Sequence, residues 1–163
     1  MKGLPLLVLL ATLASCATSY QPTSFSGGYS ETRLAEDAFQ VSFNGNGYTS
    51  KERAADFSLL RSAELTLKNG FRYFVIVSSE KDSAVSSYTS PSTSYTTASA
   101  YGSGRHAYGN ATTTTYGGQT YETSKPSATN TILCFKEKPA IPALVLEAEV
   151  VVRSIKEKYG MAQ

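Results

Sequence analysis

Between Ser83 and Ala128 the chain has almost nothing to bury. Of these 46 residues, 31 are Ser, Thr, Tyr or Gly, and Val85 is the only Val, Leu or Ile among them. Such a composition cannot offset the entropy of ordering by burial. A core must therefore come from the flanks, where apolar periodicity lies in residues 38 to 78 and 130 to 159. Six of the eleven tyrosines fall in the tract, at Tyr88, Tyr95, Tyr101, Tyr108, Tyr116 and Tyr121, and Gly102, Gly104, Gly109, Asn110, Gly117 and Gly118 offer turns. Thr and Tyr favour extended backbone, so the tract is expected as a long polar β-hairpin or meander inserted into a small domain.

The flanks supply the elements. Ala38-Phe39-Gln40-Val41-Ser42-Phe43 alternates as a half-buried strand does. Asn44-Gly45-Asn46-Gly47-Tyr48 is a turn cluster, and Thr49 with Glu52 fits a capping box that opens a helix of about eighteen residues. Its expected apolar stripe is Ala55, Leu59, Leu60, Ala63 and Leu67, and Asn69-Gly70 stops it. Phe71 to Val77, apolar on both faces, reads as a central strand. Strand, helix and strand in this order suit a right-handed crossover with the two strands parallel. Thr131 to Phe135 reads as a third strand, and Leu146 to Tyr159 as a helix, with Ala148, Val151, Val152, Ile155 and Tyr159 at helical spacing. The expected class is α+β: a small β-α-β-(polar insertion)-β-α sandwich over residues 31 to 160, interrupted by the insertion 83 to 128.

At the start of the chain, Lys2 precedes a mostly apolar run from Leu4 to Ser15. The run is too short to span a bilayer and has the length of a signal-peptide core. It ends in Leu13-Ala14-Ser15-Cys16, which resembles the lipobox of bacterial lipoproteins. That resemblance implies a signal peptide over residues 1 to 15, a diacylglyceryl group on the Cys16 sulfur, cleavage before Cys16 and acylation of its new amine. Several acyl chains, at about 0.8 kcal/mol per buried methylene, make a stable anchor. Ala17, rather than Asp, after the modified residue points to the outer membrane of a Gram-negative cell. Residues 16 to 30 then read as a lipidated tether. With Cys16 modified, Cys134 has no partner in the chain and is expected as a buried, inert thiol.

Composition removes several kinds of chemistry. Fifteen Lys and Arg against thirteen Asp and Glu leave no cationic field for nucleic acid. One His and two Cys cannot assemble the common zinc sites, and no metal or cofactor is expected. His106, the single His, lies in the polar tract with nothing nearby to orient it as a catalytic base. The carboxylates Glu36, Asp37, Asp56, Glu64, Glu80, Asp82, Glu147 and Glu149 have the scatter of ordinary surface acids. The better candidate is an anion-binding turn at Gly45, Asn46, Gly47, Thr49, Ser50 and Lys51, where a helix N-terminus offers free amides beside Lys51 and Arg53. Its spacing is neither that of the P-loop nor that of the dinucleotide loop. The competing reading is a purely structural turn and cap.

Beyond the lipobox, Gly27-Gly28-Tyr29-Ser30-Glu31, Phe39 to Asp56, Leu60-Arg61-Ser62-Ala63-Glu64, Gly70-Phe71-Arg72-Tyr73-Phe74, Cys134-Phe135 and Arg153 to Tyr159 resemble a family of uncharacterised proteobacterial lipoproteins. The likeness covers nearly all of the mature chain outside the Tyr-rich tract and carries no catalytic residue. It implies a non-enzymatic lipoprotein of the cell envelope with a binding or structural role. Its expected partners are the membrane, through the lipid anchor, and an envelope protein or polysaccharide. The alternatives from other classes are a hydrolase of envelope polymers and an anion- or solute-binding module.

Overall fold

The computed structural model describes residues 16 to 162, so the signal-peptide reading of residues 1 to 15 lies outside it. In chain order the elements are β1 (Gly28–Arg33), β2 (Ala38–Asn44), α1 (Lys51–Lys68), β3 (Tyr73–Thr89), β4 (Thr93–Ser103), β5 (His106–Tyr116), β6 (Thr120–Phe135), β7 (Leu146–Glu147) and α2 (Ala148–Lys158). The chain is α+β. Five strands form one sheet in the order β1-β2-β6-β3-β7, and β4 and β5 form a second. Two compact units result, one of residues up to Ser83 and from Lys125, the other Ala84–Ser124.

In the first unit, β2 alternates as its sequence requires, with Phe39, Val41 and Phe43 buried. It pairs antiparallel with β6 from Ala38↔Leu133 to Asn44↔Ser127. The strand from Phe71 to Val77 is therefore not central, since β6 lies between β2 and β3. Beyond β3 stands only β7, paired at Tyr73↔Glu147 and Phe74↔Leu146. Ile76 and Val77 consequently remain exposed. The central strand is the one in which Ala128, Asn130, Ile132 and Cys134 alternate inward, a pattern masked in sequence by its polar surroundings.

Helix α1 lies against this inward face. Its buried residues are Ala54, Phe57, Ser58, Leu60, Ser62, Ala63, Leu65 and Thr66, a face rotated from the expected leucine stripe. Leu59 and Leu67 are only partly buried at its flank. The reason is packing distance: Ala54, Ser58, Ser62 and Thr66 recur every fourth residue, and small side chains let the helix approach the sheet. Their hydroxyls find partners within the structure. Ser62 Oγ and Thr66 Oγ1 donate to the carbonyls four residues back, each at 2.8 Å. Ser58 Oγ donates to the Val41 carbonyl at 3.2 Å and accepts from Asn130 Nδ2 at 3.1 Å, while Ser79 Oγ donates to Asn130 Oδ1 at 2.9 Å. The helix ends at Asn69, and Gly70 turns the chain at a φ of 78°.

The second helix begins two residues later than its periodicity suggests, because Leu146 and Glu147 are spent on pairing with β3. It buries Ala148 and Ile155, and Val151 and Val152 pack at the edge of the core. Both helices cover the same face of the sheet.

Residues 16 to 30 are not a free tether. Thr18 is only 2% exposed, and β1 pairs along its whole length with β2, from Gly28↔Asn44 to Arg33↔Phe39. Gly27 and Gly28, which read as flexibility in the sequence, answer to close approach instead. A Cβ on Gly27 would meet the Asn44 carbonyl oxygen at 2.2 Å, and one on Gly28 the Gln21 oxygen at 2.5 Å.

The second unit holds the end of β3, the start of β6 and, between them, a β4–β5 hairpin with a register from Thr93↔Tyr116 to Ser103↔His106, as the Thr/Tyr composition predicts. Gly104, at a φ of 68°, and Arg105 make its two-residue turn. Hydroxyl pairs Ser94–Thr115 and Thr96–Thr113, at 2.8 and 2.9 Å, join the strands.

Two tests follow from this packing, both on a Cys16→Ser chain lacking residues 1 to 15. Ser62→Leu overpacks the seam between α1 and the sheet and is expected to cost about 1–3 kcal/mol in urea unfolding. Ser62→Ala keeps the seam and should cost less than about 1 kcal/mol. Replacing Ala84–Ser124 by a short Gly/Ser turn should leave the thermal midpoint in place, since loop closure changes by only about 0.6 kcal/mol per doubling of length. A clear drop in midpoint would make the tract part of the core.

Candidate functional site

The turn between β2 and α1 gathers the residues that sequence marks as an anion site, and it gathers them around the chain's own N-terminal segment. The Asn46 amide donates to Thr18 Oγ1 at 2.9 Å and to Thr49 Oγ1 at 3.2 Å. The Thr18 amide donates to Thr49 Oγ1 at 3.0 Å, and Thr18 Oγ1 donates to the Ser26 carbonyl at 2.7 Å. Asn46 Oδ1 accepts from the Tyr48 amide and from Thr49 Oγ1, both at 3.0 Å, and Asn46 Nδ2 donates to the Cys16 carbonyl at 2.7 Å. The Gly45 amide donates to the Pro126 carbonyl at 2.8 Å, and a Cβ there would strike Thr49 at 2.7 Å.

An anion-binding turn needs free amides, and those of Gly45, Asn46, Tyr48 and Thr49 are engaged by the protein itself. The cap differs too. Ser50, not Thr49, is the N-cap, its Oγ accepting from the Arg53 amide at 3.1 Å. Thr49 is buried in the Thr18 lock, which explains why its hydroxyl is unavailable to the helix. Gly47 and Tyr48 form the exposed tip. Lys51 is exposed and lines a shallow cavity with Lys81, Asp82, Ser83 and Ser127. Cys16 is exposed one residue before the lock begins to bury the chain.

Two further clusters tie the elements together. Arg61 bonds Glu31 of β1 at 2.6 Å and Glu64 at 3.2 Å, and stacks 4.3 Å over the Tyr29 ring. The Tyr20 hydroxyl donates to Glu64, whose other oxygen lies 3.8 Å from Lys156. Burial first, then the Glu64 carboxylate, holds the Tyr20 hydroxyl well above its ordinary range. On the neighbouring turn of α1, Asp56 accepts from the Tyr159 hydroxyl at 2.8 Å and from Lys158 at 2.7 Å, and Lys158 also bonds Glu52. Burial and Asp56 push Tyr159 up to about 12. Arg53 stands over the rings of Phe57 and Tyr159.

The other marked residues are dispersed. Glu147 pairs with Arg72 at 3.0 Å, Glu36 and Asp37 line a polar cleft with Arg33 and Lys136, and Glu149 lines a groove with Arg153 and Lys156. His106 is exposed at the start of β5 among Tyr101, Ser103 and Tyr108. Cys134 is buried against Thr66 Oγ1 at 3.4 Å, and burial raises its thiol, the condition of an unreactive sulfur. Among the described residues no cluster of three or more His, Cys, Asp or Glu is arranged for a metal. Thr18, Tyr20, Glu31, Arg61 and Asn130 are structural hubs that the sequence pattern left unmarked. Glu31 and Arg61 do lie in the runs that carry the lipoprotein resemblance, and there they serve packing. In comparisons with protein-family models, curated proteins and solved structures, nothing matches this chain.

Thr49→Val removes the acceptor for two amide donors, and about 2 kcal/mol of stability should go with it. Hydrogen exchange at the Thr18 amide should accelerate in step. Ser50→Ala should cost about 1 kcal/mol through the cap while leaving that amide protected. In alkali, the folded state favours the protonated form of Tyr159. Its stabilising share is therefore complete below pH 10 and lost as the pH rises from 10.0 towards about 12. Unfolding free energy measured across that window should fall, and less steeply in Tyr159→Phe.

Proposed function

We propose that this chain is a lipoprotein of the bacterial cell envelope, related to the proteobacterial family it resembles and anchored through acylated Cys16, with Ala17 after it favouring the outer membrane. In this reading it is not an enzyme, and its Tyr-lined hairpin binds an envelope protein or polysaccharide. One observation carries the binding role: register puts Tyr95, Tyr101, Tyr108 and Tyr116 on a single face. Tyr101 is directly opposite Tyr108, and Tyr95 and Tyr116 face Thr114 and Thr93. In a strand, alternate residues share a face, and the four tyrosines occupy odd positions of β4 and their even partners of β5. All four are 63–68% exposed, with the rings of Tyr95 and Tyr116 edge to face at 6.2 Å. The opposite face carries Ser94, Thr96, Ala98 and Ala100 with their partners Thr115, Thr113, Ala111 and Gly109.

A row of tyrosines offers wide amphipathic contact area at small entropy cost, and the intervening Thr, Ser and Asn add adaptable hydrogen bonds. The non-enzymatic reading draws support from Asp56, Glu64 and Glu147, each tied to a cation. The anchoring reading draws support from Leu13-Ala14-Ser15-Cys16 and from the exposure of Cys16.

Intact mass of protein extracted from membranes should give a chain beginning at Cys16 with added acyl mass. A photoreactive residue in place of Tyr108 should crosslink a defined envelope component in intact cells, and one in place of Thr113 on the opposite face should crosslink far less. Equal adducts from both positions, or adducts undiminished when the other three tyrosines become Ser, would refute the tyrosine face as the binding element.

A further inference from the structure

We propose that the domain seats directly on the bilayer to which Cys16 is bound, with the Phe25 and Tyr48 rings entering the headgroup layer. This rests on the lipoprotein reading and specifies its geometry. A lipoprotein with a flexible leader holds its domain away from the membrane; this one has no such leader between the anchor and the fold. Two residue steps separate Cys16 from Thr18, a reach of about 7 Å at full extension. Thr18 is buried and held by Thr49, Asn46 and the Ser26 carbonyl, and the Cys16 carbonyl is itself held by Asn46. Acyl chains on Cys16 therefore bring this end of the domain to the membrane surface.

What this end presents is aromatic. Phe25 tops the turn closed by hydrogen bonds between Ser24 and Gly27 and is fully exposed. Tyr48, 76% exposed, tops the turn between β2 and α1. Both turns are fastened to the same residue, Thr18, through Ser26 and Asn46, which ties the two exposed rings to the segment that begins at Cys16. A bare Phe in water is unfavourable, whereas aromatic rings are favoured at the headgroup level. Lys51, exposed three residues after Tyr48, suits anionic headgroups. The carboxylate next to it, Glu52, is paired with Lys158.

The chain contains no Trp, so Phe25→Trp and Tyr48→Trp each create a single fluorescent reporter. Lys68→Trp supplies the control, about 26 Å away along α1 by helical rise. Each full chain is expressed, extracted from membranes, checked by intact mass and reconstituted into phosphatidylethanolamine and phosphatidylglycerol vesicles containing brominated phospholipid. Unlipidated counterparts with unchanged thermal midpoints establish that the reporters do not disturb the fold. Emission from the Phe25→Trp and Tyr48→Trp chains should be quenched at least about twofold more than from Lys68→Trp, as rings buried several ångströms into the interface require. Acylated chains whose reporters at 25 and 48 are quenched no more than the control would overturn the seating and leave the anchor standing. Blue-shifted emission at 25 and 48 without lipid quenching would assign the face to a protein contact and likewise overturn it. A mass without acyl groups on Cys16 would remove the anchor, and the seating with it.

Discussion

The close contact between α1 and the sheet is the constraint on which the rest of this domain depends. Ser58, Ser62 and Thr66 occupy the seam where leucines would ordinarily stand. Their hydroxyls are supplied from the helix backbone, from the Val41 carbonyl and from Asn130. A larger side chain at these positions would lift the helix and separate Phe57 from Phe43, whose rings now meet edge to face at 5.1 Å. Because Asn130 sits in the middle strand, one amide side chain links β6, α1 and, through Ser79, β3. A half-satisfied network of this kind would be worse than an apolar seam, and here each of the linked side chains has its partner.

From that seating follow the two flanks of α1. On one, Arg61 and Glu64 reach Glu31, Tyr20 and Lys156, so the edge strand, the N-terminal segment and α2 are fastened to the same turn of helix. On the other, Asp56 and Glu52 engage Lys158 and Tyr159. Just before the helix, Asn46 holds Thr49 through both its carbonyl and its side chain, and Thr49 holds the Thr18 amide. The tie between the Cys16 end and the core therefore runs through the turn that leads into α1.

Much of this was legible from residue patterns, and the failures have physical causes. The alternation of Phe39, Val41 and Phe43, the length of α1, its stop at Asn69-Gly70 and the hairpin in the Thr/Tyr tract all rest on local rules of period and turn chemistry. Leu60 and Ala63 of the apolar stripe of α1 are buried as its period predicts, but Leu59 and Leu67 stand at the flank because close packing on the sheet selects small hydroxyl residues. Thr131 to Phe135 is legible as a strand, but its extension back through Ala128 and its place in the middle of the sheet are hidden by the polar Ser127, Thr129 and Asn130, although Asn130 is buried and bonded. Residues 16 to 30 have the polar composition of a tether. Their order depends on partners far along the chain, Asn46, Thr49 and Glu64, which no local window contains. The acceptors that engage the Gly45 and Asn46 amides of the proposed anion-binding turn, Pro126 and Thr18, likewise lie far away in the chain.

Inside the domain, then, polar chemistry is largely committed to holding the fold, and what remains uncommitted is aromatic and exposed. The hairpin is the clearest case. Each of its strands is eleven residues long, about 37 Å at the usual rise, with Arg105 in the turn as its nearest full charge. A two-stranded ribbon without an apolar cover is only marginally stable in water. Its backbone hydrogen bonds and hydroxyl pairs hold the register, but they bury little. A partner that covers the four tyrosines would supply the missing burial and would bind the ordered ribbon in preference to the open chain. Binding and ordering would then be one linked equilibrium, stabilising the hairpin in proportion to the logarithm of partner concentration. In such an arrangement low-complexity composition is a requirement of the site, because a ribbon that buried its tyrosines against its own core would have none to offer.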